Sequence, residues 1–379
     1  MTNYPTYKLG EILSYEQPTN YIVESTEYDD SYPTPVLTAG KSFILGYTNE
    51  TKGVYDKLPV IIFDDFTTAS QFVDFKFKVK SSAMKILSCN EEIADIKYMY
   101  YLMQITHIQS DTHKRYWISD YSKVPVSLPP LPTQRAIVTR IETLFAELDK
   151  AVQHLRTAQQ QLKTYRQAVL NHWLNNDDGK WEMVKLGEVA DAIDPEPSHR
   201  TPKIQKDGIP FVSIKDCDYI TNTINLKTAR LVSKDILTEH KERYSIKDGD
   251  FIIGKIGTIG NPVNVILPQE YALSANVVLI QPTDKINAKF LYNAFRSNIV
   301  EKQLFDGKKA TTQAAFGIKK VRLIDLPLPP LAEQQRIVNE IESRLSQATA
   351  SETYIENALQ QAEALRQSIL KKAFSGELV

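Results

Sequence analysis

An internal repeat with constant spacing constrains this 379-residue chain more than any other feature. The motif Leu-Pro-Pro-Leu at 128–131 recurs at 328–331, and Arg-Gln at 166–167 recurs at 366–367, each 200 residues later. The residues matched between these motifs are Gln134 and Gln334, Ile137 and Ile337, Val138 and Val338, Ile141 and Ile341, and Glu142 and Glu342. Loops tolerate changes of length whereas helices packed in register do not, so the ungapped repeat predicts a rigid element whose length matters.

A weaker match opens each half of the chain. Lys-Leu-Gly-Glu at 8–11 recurs at 185–188, and the stretch from this motif to Leu-Pro-Pro-Leu is 23 residues longer in the second half. The interiors of the two stretches diverge almost completely. We therefore predict four segments, in the order variable, constant, variable, constant, with the bounds 1–127, 128–176, 177–327 and 328–379.

The two constant segments carry apolar residues at heptad spacing, which predicts long helices that supercoil against a partner. The predicted coiled-coil seam consists of Ile137, Ile141, Leu144, Leu148, Leu155, Leu162, Val169, Ile337, Ile341, Leu345, Ile355, Leu365 and Ile369. About 43 residues would form a helix of roughly 65 Å. We expect the two helices to pack as an antiparallel, pseudo-two-fold pair between the variable domains. The alternative is that each helix packs on its own globular domain or on another chain.

The variable segments are predicted to be mixed α/β domains, which makes the whole chain an α+β protein. Strand-like runs are 60–63, 72–79, 211–214, 251–253 and 276–280, with glycines at 249, 257 and 260 as turn signals. Short helices are expected around 96–105 and 289–303.

Several classes of protein lack support in the sequence. No apolar run approaches the roughly 20 residues that span a bilayer, and the N-terminus does not resemble a secretory signal. The two cysteines, Cys89 and Cys217, are far apart, so a cytoplasmic protein with free thiols is expected. The segment 254–260 is rich in glycine but has neither Walker nor GxGxxG spacing, and no HExxH or adenine-methyltransferase motif occurs. A turn between strands is the favoured interpretation of 254–260.

The repeated motifs resemble those of one family, the specificity subunits of type I restriction-modification systems. The resemblance rests on the helix start at 326–338, the helix end at 365–378, the opening at 185–188 and the strand and turn at 249–260. It covers the whole chain. The first copy departs from the second at Pro132-Thr133, where the second has Ala332-Glu333, and the first variable domain lacks the glycine-rich turn.

This resemblance implies that each variable domain is a target-recognition domain that binds one half of a split sequence in double-stranded DNA. The coiled coil would set the spacer between the half-sites and dock two methyltransferase subunits. Those partners would hold S-adenosylmethionine, and restriction subunits, where present, would hold ATP and magnesium. The chain itself would be non-catalytic and would bind no cofactor or metal.

Candidate DNA contacts lie in loops that precede the long helices. The second half offers Lys308, Lys309, Thr311, Thr312 and Gln313, which combine cations for phosphates with side chains for base edges. The stretch 200 residues earlier offers Thr112, His113, Lys114, Arg115 and Tyr116. Weaker candidates are Thr67, Thr68, Lys255 and Thr258. The alternative interpretation of each basic loop is a solvated surface loop.

The overall charge does not decide the function, and two alternatives to DNA recognition have to be considered. With 45 Lys and Arg against 46 Asp and Glu, the chain has a formal net charge of −1, which gives no overall sign of nucleic-acid binding. A coiled-coil adaptor without sequence-specific DNA binding would fit the helices but would not explain two divergent domains. A free-standing nuclease or methyltransferase would need catalytic motifs that the sequence lacks.

Overall fold

The chain forms two compact units. The computed structural model describes residues 4–38, 42–108, 115–176, 178–199, 201–219, 221–255, 259–308 and 317–378, with the backbone alone at 305–308. One unit comprises Met1–Arg156 and Glu356–Val379, and the other comprises Thr157–Ile355. Each unit therefore holds one variable domain together with one half of each long helix.

The described residues of the domain in the first unit form nine short strands and three short α-helices. The strands are β1 (Thr6–Lys8), β2 (Leu13–Glu16), β3 (Thr34–Leu37), β4 (Ile44–Thr48), β5 (Val60–Asp64), β6 (Ser70–Val73), β7 (Lys78–Val79), β8 (Met84–Cys89) and β9 (Pro125–Ser127). The helices are α1 (Leu9–Ile12), α2 (Ile96–Ile105) and α3 (Tyr116–Ser119). The run 72–79 expected to be one strand is split between β6 and β7, which belong to different sheets.

The first long helix, α4 (Leu131–Leu174), leads to the second domain. The strands there are β10 (Glu182–Lys185), β11 (Ala190–Ile193), β12 (Ile209–Val212), β13 (Cys217–Asp218), β14 (Thr223–Ile224), β15 (Arg230–Val232), β16 (Phe251–Gly254), β17 (Gly260–Asn264), β18 (Ala272–Leu273), β19 (Val277–Pro282) and β20 (Asp325–Leu328). The helices are α5 (Leu186–Val189), α6 (Lys234–Lys241), α7 (Ala288–Phe295), α8 (Asn298–Lys308) and α9 (Ile318–Arg322), followed by the second long helix, α10 (Leu331–Ser375).

The sheets of the two domains are duplicates despite their divergent sequences. A four-stranded sheet has the order β2-β8-β5-β6 in the first domain and β11-β19-β16-β17 in the second. A three-stranded sheet has the order β4-β3-β7 in the first and β15-β12-β18 in the second, each with one parallel pair. A two-stranded sheet, β1-β9 or β10-β20, joins the start of each domain to its end. The second domain also has the hairpin β13-β14.

Central strands β5 and β16 separate two apolar cores in each domain. In β5, Ile61 and Phe63 face the core that includes α2 and the long helices, whereas Val60 and Ile62 face the three-stranded sheet. The same alternation occurs in β16. A strand buried on both faces has a continuous apolar sequence, which is why 60–63 and 251–253 were recognisable as strands.

The repeated Lys-Leu-Gly-Glu motif forms the same turn in both domains. The glutamate carboxylate, from Glu11 or Glu188, accepts a hydrogen bond from the backbone N–H of the motif's lysine, at 2.8 and 2.9 Å. A Cβ on Gly10 would lie 3.0 Å from the Ser122 Cβ, and one on Gly187 would lie 3.4 Å from the Arg322 Cβ. Gly10 therefore permits the close approach of the chain segment before β9, whereas the same contact at Gly187 is at an ordinary van der Waals distance.

Within each unit the start of one long helix packs against the end of the other. In the first unit, Ile141 and Phe145 of α4 share a core with Ile369 and Ala373 of α10. In the second, Val169 and Leu170 of α4 share a core with the 337–341 stretch of α10. The helices are therefore antiparallel in both units. No described helix has an apolar stretch long enough to cross a lipid bilayer.

The seam between the helices contains most of the predicted residues and differs from the prediction in one of its two heptad columns. Predicted residues at buried or half-buried seam positions are Ile141, Leu148, Leu155, Leu162, Val169, Ile341, Leu345, Ile355 and Ile369. Least-exposed positions in α4 follow the spacing 141, 145, 148, 152, 155, 159, 162, 166, 169, and α10 repeats this pattern 200 residues later. Leu144 is half-buried beside the seam. Leu365 is corrected: its side chain is 50% exposed, and Arg366 occupies the seam position instead. Apolar residues also lie beside the seam on one face of each helix. Their spacing alone therefore predicted Leu365 at the seam instead of Arg366.

Candidate nucleic-acid interface

The repeated glutamine of each long helix fixes a second helix of its own unit. The amide of Gln134 donates hydrogen bonds to the Pro129 and Ile93 carbonyls, and its oxygen accepts one from the N–H of Asp95, the N-cap of α2. In the second unit, Gln334 donates to the Pro329 carbonyl and accepts from the N–H at the N-cap of α7. Both glutamines are fully buried.

The repeated glutamate strengthens this arrangement in both units. Glu142 forms an ion pair with Lys97 of α2 at 2.6 Å, and Glu342 forms one with Lys289 of α7 at 2.7 Å. The constant spacing of the repeat therefore orients each variable domain on its helix pair through the same two side-chain contacts. Comparison of the two halves of the sequence identified these residues as repeated, but it did not show which contacts they make.

A repeated arginine lies in each helix seam and contacts the same position of the opposing helix. Arg166 donates to Thr349 at 3.0 Å and to Glu352 at 2.8 Å in the second unit. In the first unit, Arg366 pairs with Asp149 and lies 4.3 Å from the centroid of the Phe145 ring. Positions 149 and 349 correspond in the repeat, so the two contacts are pseudo-symmetric.

In the first unit, the structure brings two of the predicted DNA-binding segments together. The N–H of Tyr116 donates to the Asp65 carbonyl at 2.9 Å, and the N–H of Trp117 donates to the Asp65 carboxylate at 2.8 Å, so the 115–117 segment abuts the β5-β6 turn. Thr67 of this turn is exposed and donates to Asp64, while Thr68 adopts a left-handed conformation with φ of 62°.

The exposure of the predicted first-unit contacts differs greatly. Arg115 is exposed, whereas the Tyr116 side chain is 1% exposed, which does not favour a contact between its ring and DNA. Thr112, His113 and Lys114 lie outside the described residues. DNA binding by all five stays a prediction.

In the second unit, Lys255 is held in an ion pair rather than presented to solvent. The Lys255 side chain is 7% exposed, and its ammonium group lies 2.5 Å from the Asp194 carboxylate. Burial of this cation with its partner does not favour a phosphate contact. Thr258, Lys309, Thr311, Thr312 and Gln313, and the side chain of Lys308, lie outside the described part of the chain. Their roles stay predictions.

A polar cleft that sequence reasoning missed lies wholly within the second unit. It has a volume of about 640 Å³ and is bounded by α4, α10, the end of α7, the β13-β14 hairpin and the start of β17. Its polar lining includes the cations Lys163, Arg166 and Arg296, and the neutral side chains Tyr219, Asn222 and Asn261. These residues are spread over more than 130 positions of the sequence, so no local sequence motif predicts the cleft.

Arg296 is the most unusual cation of this cleft. Its guanidinium lies 5.6 Å from the centroid of the Tyr292 ring and donates to the Asn293 side chain at 3.4 Å. No carboxylate among the described residues forms an ion pair with it. Burial lowers the pKa of Arg296, and the positive charge of Arg166 lowers this pKa further, against an opposing effect of Tyr292. Arginine nevertheless keeps its charge in proteins, and an anion in the cleft would stabilise it.

Comparisons with known proteins agree with this architecture. Residues 1–155 and 178–361 match the family model for the type I restriction modification DNA specificity domain. The chain is 35% identical over 350 residues to the specificity subunit of the type I restriction enzyme EcoR124I/EcoR124II from Escherichia coli, covering 87% of this chain and 84% of that protein. It is 22% identical to the MjaVIII specificity subunit from Methanocaldococcus jannaschii, covering 89% and 84%.

Two solved structures share the fold at full length. A chain from a study of complex assembly and conformational transition of the type I R-M system matches with a TM-score of 0.70, at 19% identity and 100% and 99% coverage. The HsdS subunit from Thermoanaerobacter tengcongensis matches with a TM-score of 0.58, at 19% identity and 100% and 98% coverage. Two matched domains, a relative that aligns over most of both chains and a duplicated fold together lead to one assignment: this chain belongs to the specificity subunits of type I restriction-modification systems.

Proposed function

We propose that each recognition domain binds one half of a split DNA sequence and that the two long helices set the distance between the half-sites. The single observation that carries this is the duplication: two domains with the same sheets but divergent sequences, each oriented on equal, ungapped helices by the same buried glutamine. Two domains that recognise different half-sites need different surfaces, and the two long helices would hold these surfaces in the same way.

The helices also support docking of partner subunits. Tyr165 and Leu365 lie 200 residues apart, outside the seam, and their side chains are 39% and 50% exposed. The two equivalent positions therefore each present an apolar or aromatic side chain that a partner could cover. We propose that methyltransferase subunits bind these equivalent surfaces, one copy at each, and that restriction subunits join the assembly where they are present.

Catalysis in this proposal belongs to the partners. S-adenosylmethionine would be bound by the methyltransferase subunits, and ATP with magnesium by restriction subunits. The chain itself contributes recognition and spacing, consistent with its lack of a methyltransferase motif. The complex would act on DNA in the cytoplasm.

The test lengthens both helices by one heptad. Seven residues inserted after 152 in α4 and after 352 in α10 preserve the seam pattern and add about 10.5 Å, equivalent to roughly three base pairs. Methylated sites mapped in cells that carry the altered chain and its partners should keep both half-sites and gain a longer spacer.

A control carries the heptad in α4 alone, which puts the two helices out of register and should abolish methylation. An unchanged spacer in the double insertion would contradict the role of the helices. Methylation without sequence preference would contradict the whole proposal and would favour an adaptor.

A further inference from the structure

We propose that the cleft of the second unit holds one strand of the DNA half-site, with Arg296 and Lys163 on backbone phosphates and Asn222 and Asn261 at the adjoining base edges. This inference rests on the proposed function. It names the side chains through which the second domain would recognise its half-site.

Arg296 has the features of a phosphate ligand. Its guanidinium is partly buried and packed on Tyr292, which limits its freedom, yet it has no carboxylate partner among the described residues. A planar guanidinium held in this way matches the geometry of a phosphate group. Arg166, whose positive charge affects Arg296, is itself held by Thr349 and Glu352 on the opposing helix.

Lys163 supplies a second cation one helical turn before Arg166. Its side chain is exposed in the cleft and forms no ion pair in the described part of the chain. The cleft contains two carboxylates as well: Glu352 is neutralised by Arg166, and Glu301 is exposed to solvent, which screens its charge. The balance of the cleft is therefore positive.

The two asparagines have the features of base readers. Asn222 lies in the turn of the β13-β14 hairpin and Asn261 in β17, with φ values of 53° and 51° that fix their backbones in the left-handed region. Neither side-chain amide has a hydrogen-bond partner among the described residues, and the nearby Tyr219 hydroxyl is buried without one. Free amides can make the paired hydrogen bonds by which asparagine recognises adenine.

This chemistry favours DNA over a small metabolite or a protein. The lining of the cleft combines cations with free amides on a long helix and two strand connections, and the cleft is open to solvent. A strand of nucleic acid presents both phosphates and base edges.

The experiment uses the assembled complex with its methyltransferase partners. Affinity for the target is measured against salt, and preference at each half-site position is measured by methylation of a randomised library. Arg296→Gln and Lys163→Gln should each weaken binding about three- to tenfold for all sequences and reduce the salt slope by about one. Arg296→Lys should restore the slope.

The asparagine variants should give a different result. Asn261→Gly and Asn222→Gly keep the left-handed backbone accessible and remove the amide, so they should lower affinity for the target about five- to hundredfold and relax preference at one or two positions of a single half-site. Recognition of the other half-site should be unchanged.

The matched control is Arg230→Gln, which removes an exposed cation of the same domain that does not line the cleft. Variants that melt at the wild-type temperature and bind and select DNA like the control would overturn the cleft assignment alone. A wild-type complex without any sequence preference would overturn both this inference and the proposed function.

Discussion

The buried glutamine of each repeat shows how one residue can set the orientation of a domain. Gln334 lies at the base of α10, fully buried, and satisfies both the Pro329 carbonyl, at 2.8 Å, and the N–H at the start of α7, at 2.7 Å. The contact with Pro329 is buried and the contact at the start of α7 is part-buried, so solvent replaces this amide poorly. A glutamine that recurs beside a Pro-Pro motif is recognisable in the sequence, but its two partners are not.

Gln334→Ala should therefore destabilise the chain strongly. One buried and one part-buried polar group would lose their partner, at about 1–3 kcal/mol each. We expect a loss of about 3 kcal/mol in the free energy of unfolding, measured by urea denaturation. The control is Gln360→Ala, an exposed glutamine of the same helix, which should change stability by less than about 0.5 kcal/mol. Equal effects of the two changes would contradict the capping role.

A buried histidine should make the stability of the second unit depend on pH. His240 is 1% exposed and contacts Glu196 at 3.3 Å and the Tyr244 hydroxyl at 2.8 Å, with Arg243 nearby. Burial lowers the pKa of His240 below its ordinary 6.5, although Glu196 opposes this effect. The unfolded chain therefore takes up the proton first as pH falls. Stability is fully present above the unfolded pKa and is lost below it.

The measurement is the melting temperature between about pH 7.5 and pH 5.5, the range in which an ordinary histidine titrates. It should fall as the pH is lowered, and His240→Gln should flatten this fall while reducing stability at the higher pH. His107→Gln, at an exposed position, is the control and should leave the profile unchanged. A profile that stays steep in His240→Gln would assign the pH dependence to another group.

At the scale of elements, the sequence predicted which strands and helices exist better than it predicted the heptad register of the long helices. Strands β5, β16 and β19 and helix α2 were recognisable because burial on two faces, or a regular period, leaves a strong apolar pattern. The seam was harder because α4 has more apolar residues than one partner helix covers, so two heptad registers fit its sequence. Lys255 was harder still, because its partner Asp194 is 61 residues away.

Adjacent residues of α10 test the observed register. Arg366→Ala removes the ion pair with Asp149 and the contact with the Phe145 ring, and we expect a loss of about 1–2 kcal/mol in the free energy of unfolding. Leu365→Ala changes an exposed side chain and should cost less than about 0.5 kcal/mol. The comparison by thermal or urea unfolding is direct because both changes lie on one helix. A larger loss for Leu365→Ala would restore the register predicted from spacing.

At the scale of the whole molecule, the near-neutral charge conceals a strong asymmetry. Residues 1–127 carry 12 basic and 16 acidic side chains, whereas residues 177–327 carry 22 and 20. The helix segments 128–176 and 328–379 carry 6 against 3 and 5 against 7. The first recognition domain is thus acidic, with a net charge of −4, and repels the DNA backbone that it is proposed to read.

This asymmetry predicts that tight DNA binding requires partner subunits. The chain alone has a formal net charge of −1 and thus no overall attraction for the phosphate backbone, so its salt dependence should be shallow and its affinity low. Addition of methyltransferase subunits should raise affinity for the target by about a hundredfold or more at moderate salt and should steepen the slope of log affinity against log salt, since each further neutralised phosphate contributes about −0.9 to that slope. Fluorescence anisotropy with target and scrambled duplexes measures both quantities. If the chain alone bound the target as tightly and with the same slope as the complex, its own cations would suffice, and the acidic first domain would have to present a basic face through residues such as Arg115.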